Sequence, residues 1–182
     1  MCTVFDALIS DQCGSNMGGT VQELYYAGVD DFATFGAYKT PVSSPIDEYT
    51  ITGNHTFKVG KCFRKVQLLK NTGVNNFEGG GNFSGTKNQT VSFSMPSNNK
   101  NAIALANKFA NGVYPTIWLV RDNNQPAGEY YQIGSAEHPA TITVTKNNGT
   151  AEGDGSILEF TISCVEPAVK IYTGTVTLTP AS

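Results

Sequence analysis

The chain has 182 residues with a formal net charge of −3, and only 15 % of them are charged, against roughly 25 % in an average soluble domain. That length holds one β-rich domain with a core of its own. The negative balance argues against a protein that grips phosphate backbones, which needs clustered Lys and Arg for counterion release, and no stretch approaches the ~18 apolar residues of a membrane span.

Met1 to Asp11 has neither a basic start nor a long apolar run, so no export signal is expected. Cys2, Cys13, Cys62 and Cys164 are scattered without the close pairs of a zinc or redox motif, and read as reduced, mostly buried thiols in a cytoplasm. Val21 to Tyr26 and Phe32 to Tyr38 read as strands, and Thr40 to Asp47, with two prolines, as an extended connector. Residues 1–56 are therefore expected to form an N-terminal arm with the first strands, ahead of a main body over 57–182.

From Thr56 to Asn71 the pattern is strand-like, with Phe57, Val59 and Phe63 on one parity and Val66 and Leu68 on the other, which predicts a bulge or bend near Arg64. Lys58, Lys61, Arg64, Lys65 and Lys70 form the one basic cluster. On a strand they split between two faces, as a solvated or subunit-facing strand does. Asn71-Thr72-Gly73 turns the chain, Phe77 to Thr86 is interrupted by Gly79-Gly80-Gly81, and Val91, Phe93 and Met95 alternate; together these predict a long extended hairpin over about 57–95. Gly80 and Gly85 have the separation of a phosphate-binding loop. The order Thr86-Lys87 reverses that motif, and glycines in a hairpin mark bends.

One helix is predicted over about 98–111. Ala102, Leu105, Ala106 and Phe109 share a face that Ile103 and Ala110 widen, Ser97 or Asn98 is placed to cap it, and Gly112 to stop it. Thr116 to Arg121, with Trp118, is a continuous apolar run of a strand buried on both faces, followed by a turn at Asp122 to Gln125. Strands at Tyr130 to Ile133, Thr141 to Thr145, Ile157 to Cys164 and Val169 to Leu178 follow, separated by Gly134, Asn147-Asn148-Gly149 and Glu166-Pro167. Leu158, Phe160, Ile162 and Cys164 share one face. The fold class is mainly β, an antiparallel sandwich or barrel with one packed helix.

Chemistry is sparse. His55 sits in a polar turn and His138 precedes Pro139; no local motif ties either to a nucleophile, and both read as solvated. Asp30-Asp31 and Glu152-Gly153-Asp154-Gly155 lack the ligand count and spacing of a calcium loop and read as turns or caps. Of the pairs Tyr25-Tyr26 and Tyr130-Tyr131, one ring each is expected in the core and its neighbour at a subunit contact. Asn54, Asn82, Asn88 and Asn148 open sequons, which matter only in a glycosylating pathway. No catalytic residue, metal or cofactor is expected.

The order of elements resembles the tail tube proteins of long-tailed bacteriophages, a group similar in fold to the tube proteins of contractile injection systems. The stretches that carry the likeness are Phe57 to Met95, the helix, Thr116 to Gly134 and the ending from Glu166 to Gly174, about the last two thirds of the chain. The resemblance implies a virion structural protein, assembled in the bacterial host cytoplasm without a membrane anchor. Six copies would close a ring through their strand edges, rings would stack into a tube, and DNA would pass without specific binding. Implied partners are further copies of itself, the tape measure and the terminator. Candidate interface residues are Tyr25, Tyr26, Phe63, Val66, Leu68, Phe77 and Phe83. The alternatives are another phage ring or cap protein, such as a terminator, baseplate ring or capsid decoration protein, and a carbohydrate-binding sandwich using exposed tyrosines and Trp118. The apolar run around Trp118 weighs against the last.

Overall fold

The computed structural model describes residues 17–81, 84–109, 114–149 and 155–181. Among these residues the chain forms β1 (Glu23–Gly28), β2 (Phe32–Thr34), β3 (Thr50–Ile51), β4 (Thr56–Phe57), β5 (Arg64–Gln67), β6 (Val74–Gly79), β7 (Lys87–Pro96), α1 (Lys100–Phe109), β8 (Thr116–Val120), β9 (Tyr130–Ile133), β10 (Thr141–Asn147), β11 (Ile157–Glu166) and β12 (Lys170–Tyr172). A six-stranded sheet runs β3-β12-β9-β8-β1-β5, a four-stranded sheet runs β10-β11-β7-β6, and β2 pairs with β4. All pairings are antiparallel except β3 with β12. The mainly β sandwich with one helix is the fold its patterning predicts.

The six-stranded sheet is the middle layer, which explains why Thr116–Val120 is apolar at consecutive positions. Side chains alternate across a strand, so Trp118 and Val120 enter one core while Ile117 and Leu119 enter the other, and all four are fully buried. The upper core lies between the two sheets and is closed by Ala102, Leu105 and Phe109 of α1. Trp118 stacks on Tyr26 at 4.9 Å between centroids, with Phe93 and Phe109 at 6.0 and 6.4 Å. Its indole N–H donates to Thr116 Oγ1 at 2.9 Å, so the ring is buried with its polar atom satisfied. The lower core joins Phe32, Phe57, Phe63, Ile117, Leu119 and Tyr172.

Several boundaries differ from the sequence expectation. The hairpin is Val74–Pro96 alone: the chain leaves β4 at Phe57, turns at Lys58–Lys61, and enters β5 at the edge of the other sheet. The parity change near Arg64 thus marks a passage between layers, from Phe57 and Phe63 in the lower core to Val66 and Leu68 in the upper one. Val59, between them in sequence, is exposed. Within residues 17–56, β1 is an interior strand between β8 and β5, anchored by buried Leu24, Tyr26 and Ala27, so this part is no free arm. Residues 1–16 lie outside the described set, as do Cys2, Cys13, Gly112 and most of the Glu152–Gly155 loop. The helix is capped by Asn99, whose Oδ1 accepts the Asn101 N–H at 2.9 Å; Ser97, one expected cap, instead donates its hydroxyl to Ser156 Oγ at 2.6 Å. The connector before β3 holds a short 3₁₀ turn, Pro45–Tyr49, tied by the Asp47 carboxylate, which accepts from the N–H of Ser43 and Ser44 and pairs with Lys39 at 2.8 Å.

Candidate functional site

The outer face of the four-stranded sheet is the feature of this surface most fully specified by sequence. Register puts Thr141, Thr143 and Thr145 of β10 beside Ser163, Thr161 and Glu159 of β11, which in turn face Thr90, Ser92 and Ser94 of β7; Asn76 and Val74 of β6 continue the rows. Glu78, Asn88 and Val165 complete the face. Among the described residues of these strands, no Lys or Arg shares it, since Lys87 and Lys146 register with Glu166 and Leu158 on the opposite parity. Hydroxyls bridge across it, as between Thr141 and Ser163 at 3.0 Å. Among the described residues the face is polar and mildly acidic, its charged groups being the two carboxylates of Glu78 and Glu159.

Among the described residues β6 and β10 each have one strand neighbour, so most of both margins has no strand partner; the start of the β10 margin is held by Ala140, whose N–H donates to the Thr116 carbonyl at 2.9 Å. The hairpin end fixes the phase of β6, because the Gly80 N–H donates to the Thr86 carbonyl at 2.7 Å. Bonded pairs alternate along an antiparallel ladder. Val74, Asn76 and Glu78 therefore bond inward to β7, and Asn75, Phe77 and Gly79 turn their backbone N–H and C=O groups outward. Phe77 is 56 % exposed there and leans toward Tyr131, 6.5 Å between ring centroids.

Of the expected interface residues, Phe77 alone is a well-exposed side chain. Tyr25 is half-buried, edge-on to Tyr130 at 5.7 Å, with its hydroxyl donating to Glu23. Tyr26, Phe63, Val66 and Leu68 are buried within the subunit and are corrected to core residues: Tyr26, Val66 and Leu68 pack in the upper core and Phe63 in the lower one, so little of these side chains is left for a neighbour. Phe83 lies outside the described residues. Of the basic cluster only Arg64 and Lys65 lie on a strand, the others flanking it in turns and loops; Lys61 pairs with Asp31 at 2.8 Å and Lys65 with Glu23. Trp118 is fully buried and offers no face to a sugar ring.

A second concave feature of about 520 Å³ opens beside β3, lined by Phe35, Tyr38, Tyr49 and Ile51 together with Glu48 and Glu137. His55 forms part of its floor and corrects the reading of a solvated histidine, being only 3 % exposed. Its ring stacks on Tyr172 at 4.5 Å. Gln132 Nε2 donates to the Gly134 carbonyl, which turns Gln132 Oε1 to the His55 Nε2–H at 2.9 Å; His55 Nδ1 then accepts the Gly36 N–H at 3.0 Å. Gly36 is required there, since a Cβ would stand 2.0 Å from the Gly53 carbonyl oxygen. The neutral ring is satisfied at both nitrogens, and a second proton would face the Gly36 N–H. Burial accordingly holds the imidazole below its ordinary value, partly offset by Gln132. The sequence signal for this was absent, because burial here comes from a loop folding under the sheet.

A folded-state value below the unfolded one makes the neutral ring a source of stability above about pH 6.5, lost as pH falls below that value and the unfolded chain takes up the proton first. Thermal denaturation at steps from pH 8 to pH 5 is expected to show a flat upper region and a fall setting in near pH 6.5; His55→Gln should reduce that first part of the fall. An unchanged profile in the variant would remove His55 as its cause.

Two further buried titratable groups are held by partners within the subunit. Glu166, fully buried, pairs with Lys170 at 2.5 Å and accepts from Gln89 Nε2 at 3.4 Å. Glu166 was missed in the sequence, although it shares the parity of Leu158 to Cys164. The Cys164 thiol donates to the His138 carbonyl, and burial, reinforced by Glu166, pushes it up to about 12. Among the described residues no three His, Cys, Asp or Glu side chains gather as metal ligands, and no helix is long and apolar enough to cross a membrane. Comparison with protein-family models, curated proteins and solved structures found no match to this chain.

Proposed function

We propose that the chain is a non-catalytic virion structural protein, the subunit of a phage tail tube, in which copies join β6 to β10 into hexameric rings and the rings stack around a conduit for DNA. The observation that carries this reading is the outer face of the four-stranded sheet, polar and, among the described residues, free of Lys and Arg and flanked on both sides by strand margins without a second strand neighbour. Joining β6 of one copy to β10 of the next satisfies both margins and continues the hydroxyl rows around a closed barrel. Glu78 and Glu159 would face the bore, where negative charge without cations lets a polyanion slide instead of binding. The low overall charge fits a surface largely covered by neighbours.

The test is electron microscopy of the purified protein over a range of concentrations. Stacked rings of one diameter are the expected result. Single rings that never stack would point to a terminator or other cap role, and a strictly monomeric sedimentation profile at every concentration would overturn ring formation itself.

A further inference from the structure

We infer that the turn Lys58–Lys61 of one copy seats in the cavity beside β3 of another, a second contact that links copies head to tail; this rests on the ring-forming reading and names a contact surface it needs. The turn carries Val59, which at 80 % is the most exposed large hydrophobic side chain among the described residues. A single exposed valine means little in itself. Its setting is unusual because the turn is held stiffly by backbone bonds while the valine side chain stays exposed. The Lys61 N–H donates to the Lys58 carbonyl at 2.9 Å and Gly60 takes φ +76°. Lys58 N–H donates to Asp31, Gly60 N–H to Ala181 at 2.8 Å, and the Lys61 ammonium pairs with Asp31. A knob fixed in advance loses little freedom on binding.

The cavity matches it in size, polarity and charge. Phe35, Tyr38 and Tyr49, each more than 40 % exposed, form aromatic walls around Ile51, and about 520 Å³ has room for the tip of a turn as well as one side chain. Glu48 and Glu137 of its lining have no ion-pair partner among the described residues, and neither does Lys58 on the turn, whereas Lys170, the one lysine of the lining, is already paired with Glu166. Seating Val59 between the rings brings Lys58 to those carboxylates.

The turn does not line the cavity of its own subunit. Ile51 of β3 and His55 line the cavity, whereas the turn, three residues beyond His55, is tied by its backbone bonds to Asp31 and Ala181. Held there with Val59 exposed, the turn leaves its own subunit's cavity unfilled, so the contact is made between copies. A contact of knob on one side and cavity on the other is heterologous and propagates into rings or filaments instead of stopping at a pair.

Sedimentation and electron microscopy of the full chain, at about 0.1 M and about 1 M salt, test this. Val59→Asp is expected to raise the concentration for half-assembly by about tenfold or more, and Lys58→Glu by about threefold at low salt only. Both positions are exposed, so circular dichroism should show an unchanged fold. Adding Glu48→Lys and Glu137→Lys to Lys58→Glu should restore assembly, an outcome that a merely weakened subunit cannot give. If wild-type rings form and Val59→Asp assembles equally well, or if the charge reversal restores nothing, the turn contact is overturned while ring formation stands. Wild-type protein that remains monomeric overturns both.

Discussion

Trp118→Ala is expected to lower the unfolding free energy by about 4 kcal/mol, a large share of the roughly 5–15 kcal/mol that holds an ordinary domain together. The magnitude follows from where the ring sits. It is fully buried at the centre of the middle sheet and touches all three elements that close the upper core: Tyr26 of β1, Phe93 of β7 and Phe109 of α1. None of these can collapse into the vacated space without leaving its own sheet or helix, so the cavity persists and its lost contacts are not regained. For a chain of this length the melting temperature should fall by about 10 °C. Trp118→Phe separates packing from hydrogen bonding. It keeps most of the volume, and Thr116 Oγ1 still donates to the Ala140 carbonyl at 3.2 Å, so its cost should be nearer 1–2 kcal/mol. Chemical denaturation of the three proteins measures both differences. An alanine variant within 1 kcal/mol of the wild type would mean that the ring is not the keystone between the layers.

The elements with a regular period were legible. Thr116 to Arg121 could be recognised as a strand buried on both faces because a one-sided strand would have alternated, and the helix because its apolar residues recur on one side. What periodicity does not carry is the identity of the partner strand. Thr56 to Asn71 looks like one long strand, and only pairing shows that its first part belongs under the middle sheet and its last part to the edge of that sheet. The same limit applies to Val169 to Leu178, where alternating Thr and Val continue past the true end of β12 at Tyr172. Beyond that residue the backbone is claimed elsewhere: Thr175 N–H donates to Asn54 Oδ1, the Tyr172 hydroxyl donates to the Thr175 carbonyl, and Phe63 N–H to the Thr177 carbonyl. Strand propensity yields to such bonds because it expresses fit to a neighbouring strand.

The candidate assembly surface was half legible for a related reason. The alternation in β7, β10 and β11 already separates a hydroxyl-rich face from an apolar one, but the rows across strands appear only once register is known. Large apolar residues on β1 and β5 resemble interface residues in a one-dimensional pattern, since core and interface bury the same chemistry. His55 and Glu166 were hidden differently: each is a polar residue satisfied in the interior by partners that include one far away in sequence, Gln132 for the first and Gln89, beside the nearby Lys170, for the second.

Phe77→Pro is expected to leave the subunit folded and weaken ring formation by about 100-fold, if β6 pairs with a neighbouring copy as proposed. The position is chosen by the phase of the ladder. Asn76 and Glu78 bond inward, so a proline at either would break the hairpin; the Phe77 N–H points outward, and proline on an outward edge position is tolerated. In an isolated subunit the missing donor was facing water. In a ring it was facing β10, where its loss leaves an acceptor of the neighbour unpaired and the pyrrolidine ring in its way. Phe77→Thr supplies the control, because it removes the same aromatic side chain while keeping the N–H. If both variants lose assembly equally, the phenyl ring and not the strand edge makes the junction. If proline changes nothing in sedimentation or microscopy, β6 is not where copies meet. A loss confined to proline locates the junction on the backbone of β6, and the margin of β10 then becomes its partner to be mapped by the same substitution.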